Sequence, residues 1–161
     1  MIIKRNTHAP FRFPYLLVGC QRLAYKVKFD ISCVYNIGIQ DQGDVNKLFG
    51  IGYFPHHHKN SVRFGWRYVI DLDVIELLAY YYVDGERNFK HIAFVPINHE
   101  CICILDILEE GHILSVFDDN RRLGEFITSD PAGHDVGYLL RPYFGGNQKA
   151  PHDICLTMKR I

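Results

Sequence analysis

The chain has 161 residues, with 18 Lys+Arg against 18 Asp+Glu, so its formal charge at pH 7 is zero. Hydrophobic residues make up 48% and charged residues 22%, ordinary globular usage that excludes intrinsic disorder and predicts one domain over 1–161. Zero net charge also argues against a protein that grips nucleic acid or anionic lipid, since both require a basic surface.

Near the start, Leu17-Val18-Gly19-Cys20 is similar to the cleavage box of a bacterial lipoprotein leader. A leader needs an apolar stretch of ~7–15 residues before that box. Arg12 and Pro14 interrupt the stretch, and residues 15–18 read better as a strand. No window reaches the ~18 apolar residues of a membrane span. The five Cys, at 20, 33, 101, 103 and 155, form no even framework and predict packed, free thiols. With no readable leader, they predict a soluble chain in a reducing, cytoplasmic compartment, unless a leader has been removed. Cys101 and Cys103 would share a strand face, but without a second pair they predict no zinc site.

Period-two alternation dominates the chain from residue 22 onward, and it sends successive side chains to opposite faces of a strand. In residues 22–30, Leu23, Tyr25, Val27 and Phe29 share one face; in 61–70, Val62, Phe64, Trp66, Tyr68 and Ile70 do, with Arg63 and Arg67 opposite. Residues 75–83 are apolar on both faces and end at Asp84-Gly85, a hairpin signal. Further strands are predicted over 89–97, 101–108, 112–117, 124–128 and 153–161. Helical signals are poor: 45–48 suit one turn, and the β-branched and aromatic content of 72–78 favours strand. Ten or so short strands between Gly, Asn, Asp and Pro clusters predict an all-β, two-sheet antiparallel sandwich of the jelly-roll kind.

The aromatic and histidine excess, 11 Phe, 10 Tyr, one Trp and nine His, supplies the candidate site. His56-His57-His58-Lys59-Asn60-Ser61 is an internal polar loop. In extended form it would put His56 and His58 on one face, where two imidazoles can hold a divalent metal only if a further ligand such as His91, His99, His152 or Asp153 joins. The alternatives are a ligand-contacting loop and a structural loop. The segment Arg63-Phe64-Gly65-Trp66-Arg67-Tyr68 sets the single Trp between two Arg. Trp66 shares its face with Phe64 and Tyr68 and reads as a core anchor, which leaves Arg63 and Arg67 as the ligand candidates. Gly65 between them fits a bulge or a close backbone approach.

Asp71-Leu72-Asp73-Val74-Ile75-Glu76 is similar to the carboxylate signature of laminarinase-type retaining glucanases, except that Asp71 stands in the nucleophile place. A turn between two strands is the stronger reading. Pro142-Tyr143-Phe144-Gly145-Gly146-Asn147, followed by Ala150-Pro151-His152-Asp153-Ile154, resembles the closing strands of concanavalin A-like lectin/glucanase jelly rolls. The likeness is to uncharacterised bacterial members and some polysaccharide lyases, and it covers about 25 residues here. It implies a concave groove that takes an oligo- or polysaccharide, contacted by His57, His58, Arg63, Arg67, Tyr143, Asn147 and His152. Some members hold a structural calcium through an Asp near the last strand, where Asp153 stands, yet no partner ligand is visible. No cofactor and no metal is predicted. The function expected is carbohydrate binding without assured catalysis. Its alternatives are a glycan-active enzyme, either lyase or hydrolase, and a structural or protein-interaction domain. Exposed strand edges leave room for a homodimer.

Overall fold

Alternation buries one face of each strand, and the buried faces of two sheets meet. The computed structural model describes residues 1–10, 15–129 and 136–161. In chain order the strands are β1 (Ile2–Ile3), β2 (Leu16–Val18), β3 (Arg22–Phe29), β4 (Asn46–Tyr53), β5 (Ser61–Val69) and β6 (Val74–Val83). They continue as β7 (Glu86–Pro96), β8 (Glu100–Leu108), β9 (Gly111–Asp118), β10 (Arg121–Thr128), β11 (Val136–Leu140) and β12 (Ile154–Arg160). Six form the first sheet, in the order β1-β12-β3-β8-β9-β10, and six the second, in the order β2-β11-β4-β5-β6-β7. Every pairing is antiparallel. The protein is an all-β sandwich of two antiparallel sheets.

The first sheet sends Leu23, Val27, Phe29, Cys101, Cys103, Leu105, Leu114 and Val116 inward; the second sends Val62, Phe64, Trp66, Ile75, Leu77 and Ala79 to meet them. Trp66 is 0% exposed, and its ring centre lies 5.3 Å from that of Phe29 across the sandwich. The Trp is therefore core, as its neighbours on the strand predict. All five Cys are free thiols, three of them buried. Among the described residues no helix is long and apolar enough to cross a membrane.

Two local features differ from the sequence expectation. Residues 45–48 form no helical turn, because β4 is held between β5 and β11 by ladders on both sides. A bulge between Lys47 and Gly50 turns both Leu48 and Phe49 into the core, which erases the alternation there. Arg12 and Pro14 lie outside the described residues, while Leu16–Val18 form the strand expected after them. The turn at Asp84-Gly85 is as predicted: φ is 49° at Asp84 and 91° at Gly85, the pair of positive values a tight hairpin turn requires.

Candidate ligand-binding site

The second sheet turns its other face away from the core. Residues directly opposite in a ladder share a face. Tyr138, Gly52, Ser61 and Tyr82 therefore make one row across β11, β4, β5 and β6, and Leu140, Gly50, Arg63 and Tyr80 the next. Lys47, opposite Gly65, stands one step further along. The loop between β4 and β5 folds over this face: Ser61 Oγ donates to the His57 carbonyl at 2.7 Å, and the Asp84-Gly85 turn donates to Asn60 and Lys59 at 2.8 and 2.9 Å. A Cβ at Gly52 would lie 2.9 Å from His57 Cβ and 3.0 Å from the Tyr138 ring, so the missing side chain is what seats both.

Arg63 is the centre of this cluster. It is 6% exposed, its guanidinium lies 5.3 Å from the centre of the Tyr80 ring, and its Nε is buried without a hydrogen-bond partner among the described residues. None of the ion pairs among the described residues includes it. Burial pulls its pKa down, and the groups that act against this are the phenols of Tyr80, Tyr82 and Tyr138. Lys47 Nζ sits 5.1 Å from the Tyr80 ring centre and 5.5 Å from that of Tyr143, and it donates to the Gly145 carbonyl at 2.8 Å. Burial, helped by Arg63 and Arg87, lowers this ammonium to about 8.

The histidines complete one wall. His57 Nδ1 is 3.2 Å from the Tyr138 hydroxyl, and burial, then Arg63 and the adjacent imidazoles, bring His57 down to about 4, so it is neutral at pH 7. His58 stands edge-on to Tyr82 at 5.3 Å, and burial followed by nearby positive charge, Arg63 first, lowers it too. The closing segment supplies Tyr143, whose main chain exchanges two hydrogen bonds with Lys47 and whose ring stacks on His8 at 4.8 Å. Its neighbour Phe144 is wholly buried against Tyr35 and Trp66, which fixes the segment to the core.

Four of the seven residues predicted for the groove thus come together: His57, His58, Arg63 and Tyr143. The other three do not join them. Arg67 shares the face of Arg63, but Val45 reaches over Gly65 between them, to within 2.4 Å of where a Cβ would lie. Arg67 Nε donates to Glu76 at 2.6 Å and its Nη1 to the Gly43 carbonyl at 3.0 Å; His91 takes the other Glu76 oxygen at 2.9 Å. Asn147 lies on an exposed turn where its main-chain N–H meets Asp44 at 3.3 Å. His152 Nε2 is 2.7 Å from the Ser32 carbonyl, a brace at the foot of β12. Asp71 lies in the 3₁₀ turn Ile70–Leu72 and not on a strand, so it forms no strand-face carboxylate pair with Glu76. Asp153 is taken up by Lys4 Nζ at 2.7 Å and the Arg5 N–H at 2.9 Å, and no group of three or more His, Cys, Asp or Glu suited to a metal gathers among the described residues.

Comparison with known proteins adds the fold and nothing chemical. No family model and no curated protein matches the chain. Its structure is similar to that of a functionally unknown protein from Saccharomyces cerevisiae, with a TM-score of 0.58, 8% identity, and 99% of this chain and 82% of that one covered. At that identity the likeness concerns the fold alone.

Sequence reasoning missed Lys47, Tyr80, Tyr82 and Tyr138. Lys47 was hidden by the bulge in β4. Tyr80-Tyr81-Tyr82 did carry a signal, because two tyrosines at spacing two must share the face opposite Tyr81; Tyr81 packs against the core and the outer pair faces Arg63. Only the strand register says which residue they face.

Proposed function

We propose that the sandwich is a concanavalin A-like jelly roll whose outward face on the second sheet binds an oligo- or polysaccharide. One contrast carries the reading. On the first sheet two outward cations are matched by acids on the neighbouring strand, Arg22 by Asp106 and Lys26 by Glu100. On the second sheet Arg63 and Lys47 face aromatic rings and hydroxyls instead. Aromatic rings present flat apolar surface to the C–H face of a sugar, while phenols, imidazole and guanidinium offer directed hydrogen bonds to its hydroxyls. Retention on an immobilised glycan array tests this: the native protein should bind a subset of glycans, and Arg63→Ala should lose that signal while keeping its fold. An array silent toward native protein, or an undiminished signal from Arg63→Ala, contradicts the reading.

A second reading, a polysaccharide lyase, is favoured by the neutral His57 held against the Tyr138 hydroxyl beside Arg63. In β-elimination a base removes the proton next to a uronate carboxylate, the glycosidic C–O bond breaks as a C=C bond forms, and an acid protonates the leaving oxygen. Arg63 would neutralise the carboxylate, and His57 and Tyr138 would move the protons. Incubation with uronate polymers should then release unsaturated ends that absorb in the ultraviolet; no absorbance across such polymers overturns the lyase and leaves binding standing.

A further inference from the structure

Among the described residues, the cluster around Arg63 sets two cations, Arg63 and Lys47, against no paired acid. We infer that it takes an acidic glycan, one that sets a carboxylate or sulfate oxygen against Arg63; this rests on the proposed carbohydrate function and names its ligand class.

A neutral sugar does not explain a guanidinium that is almost wholly buried with an unpartnered Nε. Removing a cation from water costs several kcal/mol unless a counter-charge and hydrogen bonds compensate. Arg67, on the same face of the sheet, has that compensation, since it shares Glu76 with His91. Around Arg63 the second cation, Lys47, adds repulsion, and Arg87 adds more to Lys47. The carboxylate that acts most on Lys47 is Asp44, which already accepts the Asn147 N–H. No carboxylate among the described residues pairs with Arg63, and a guanidinium fork matches an oxyanion in geometry as well as charge. The tyrosine and histidine rings that surround it suit a sugar body attached to that anion better than a bare inorganic ion.

Isothermal titration with short oligouronates, sulfated oligosaccharides and the carboxyl-reduced forms of the same oligouronates tests this, with inorganic sulfate as a fourth probe. At least one acidic series should bind, its neutral counterpart at least about tenfold more weakly. Arg63→Gln should lose about 30-fold or more, whereas Arg22→Gln on the opposite sheet removes the same charge and should bind as native. Native-like amide spectra of both variants separate lost binding from lost folding. Equal binding of acidic and neutral forms overturns the anionic ligand but leaves a glycan site. Sulfate ion binding with no oligosaccharide bound overturns the glycan reading, and binding of no probe overturns both.

Discussion

Arg63→Met should make the free protein more stable, by about 1–3 kcal/mol, while it abolishes ligand binding. Methionine has nearly the same reach and packs against the Tyr80 ring without a charge to desolvate. What it gives up is the cation–π contact at 5.3 Å, worth up to about 2 kcal/mol where water is excluded. It removes the buried, unpartnered Nε and the repulsion on Lys47. Urea unfolding should show a higher midpoint at unchanged slope, the signature of a stability change without altered compactness. A residue that weakens the fold it sits in and is needed for binding fits the trade-off between stability and activity seen at functional sites. If Arg63→Met instead lowers stability by more than about 1 kcal/mol, Arg63 belongs to the scaffold.

The second large effect is acid destabilisation between pH 6.5 and 4. His112 is 2% exposed on β9, with Nε2 2.7 Å from the Tyr53 hydroxyl, and burial lowers it to about 4. Its folded pKa is thus below its unfolded value of about 6.5. In that window the unfolded chain binds the proton and the folded one does not, so stability falls as pH falls. The drop to about 4 corresponds to about 3 kcal/mol from this one residue, present at pH 7 and lost by pH 4. His57 acts in the same direction, more weakly because it is only half-buried. Denaturant unfolding at several pH values should trace this decline, and His112→Gln should flatten it. A stability that stays level from pH 7 to 4.5, or a His112 imidazole that titrates near 6.5 by NMR, would show that the site is wetter than its burial implies.

Most of the sandwich was legible because its strands bury one face each. β5 and β3 alternate cleanly, so their inward residues could be named before their partners were known. Beyond Glu76, β6 is apolar on both faces because its outward side is itself covered, by Val45 over Leu78 and Tyr80. β4 was not legible: beyond Lys47 its outward positions are Gly50 and Gly52, which carry no polarity to alternate, and its bulge sends two successive residues inward.

The site was half legible for a related reason. His57, His58 and Arg63 stand out as chemistry wherever they lie, and the resemblance of the closing segment singled out Tyr143. Whether two such residues meet depends on register and on small neighbours. Gly65 lets Val45 come between Arg63 and Arg67, and Glu76, nine residues along, then claims Arg67. His152 and Asn147 flank the same closing segment as Tyr143, but partners at Ser32 and Asp44 hold them away from it. Spacing along the chain contains none of this.

The most direct measurement is where on the molecule a bound glycan registers. With ¹⁵N-labelled protein and a glycan selected from the array, the largest shift changes should fall on Arg63, its Nε–H included, and on Lys47, His57, Tyr80, Tyr82 and Tyr138. The first sheet's outward residues, Arg22 and Lys26 among them, should stay unmoved. Shifts confined to the first sheet, or to the loop around His152, would contradict a binding face built on Arg63.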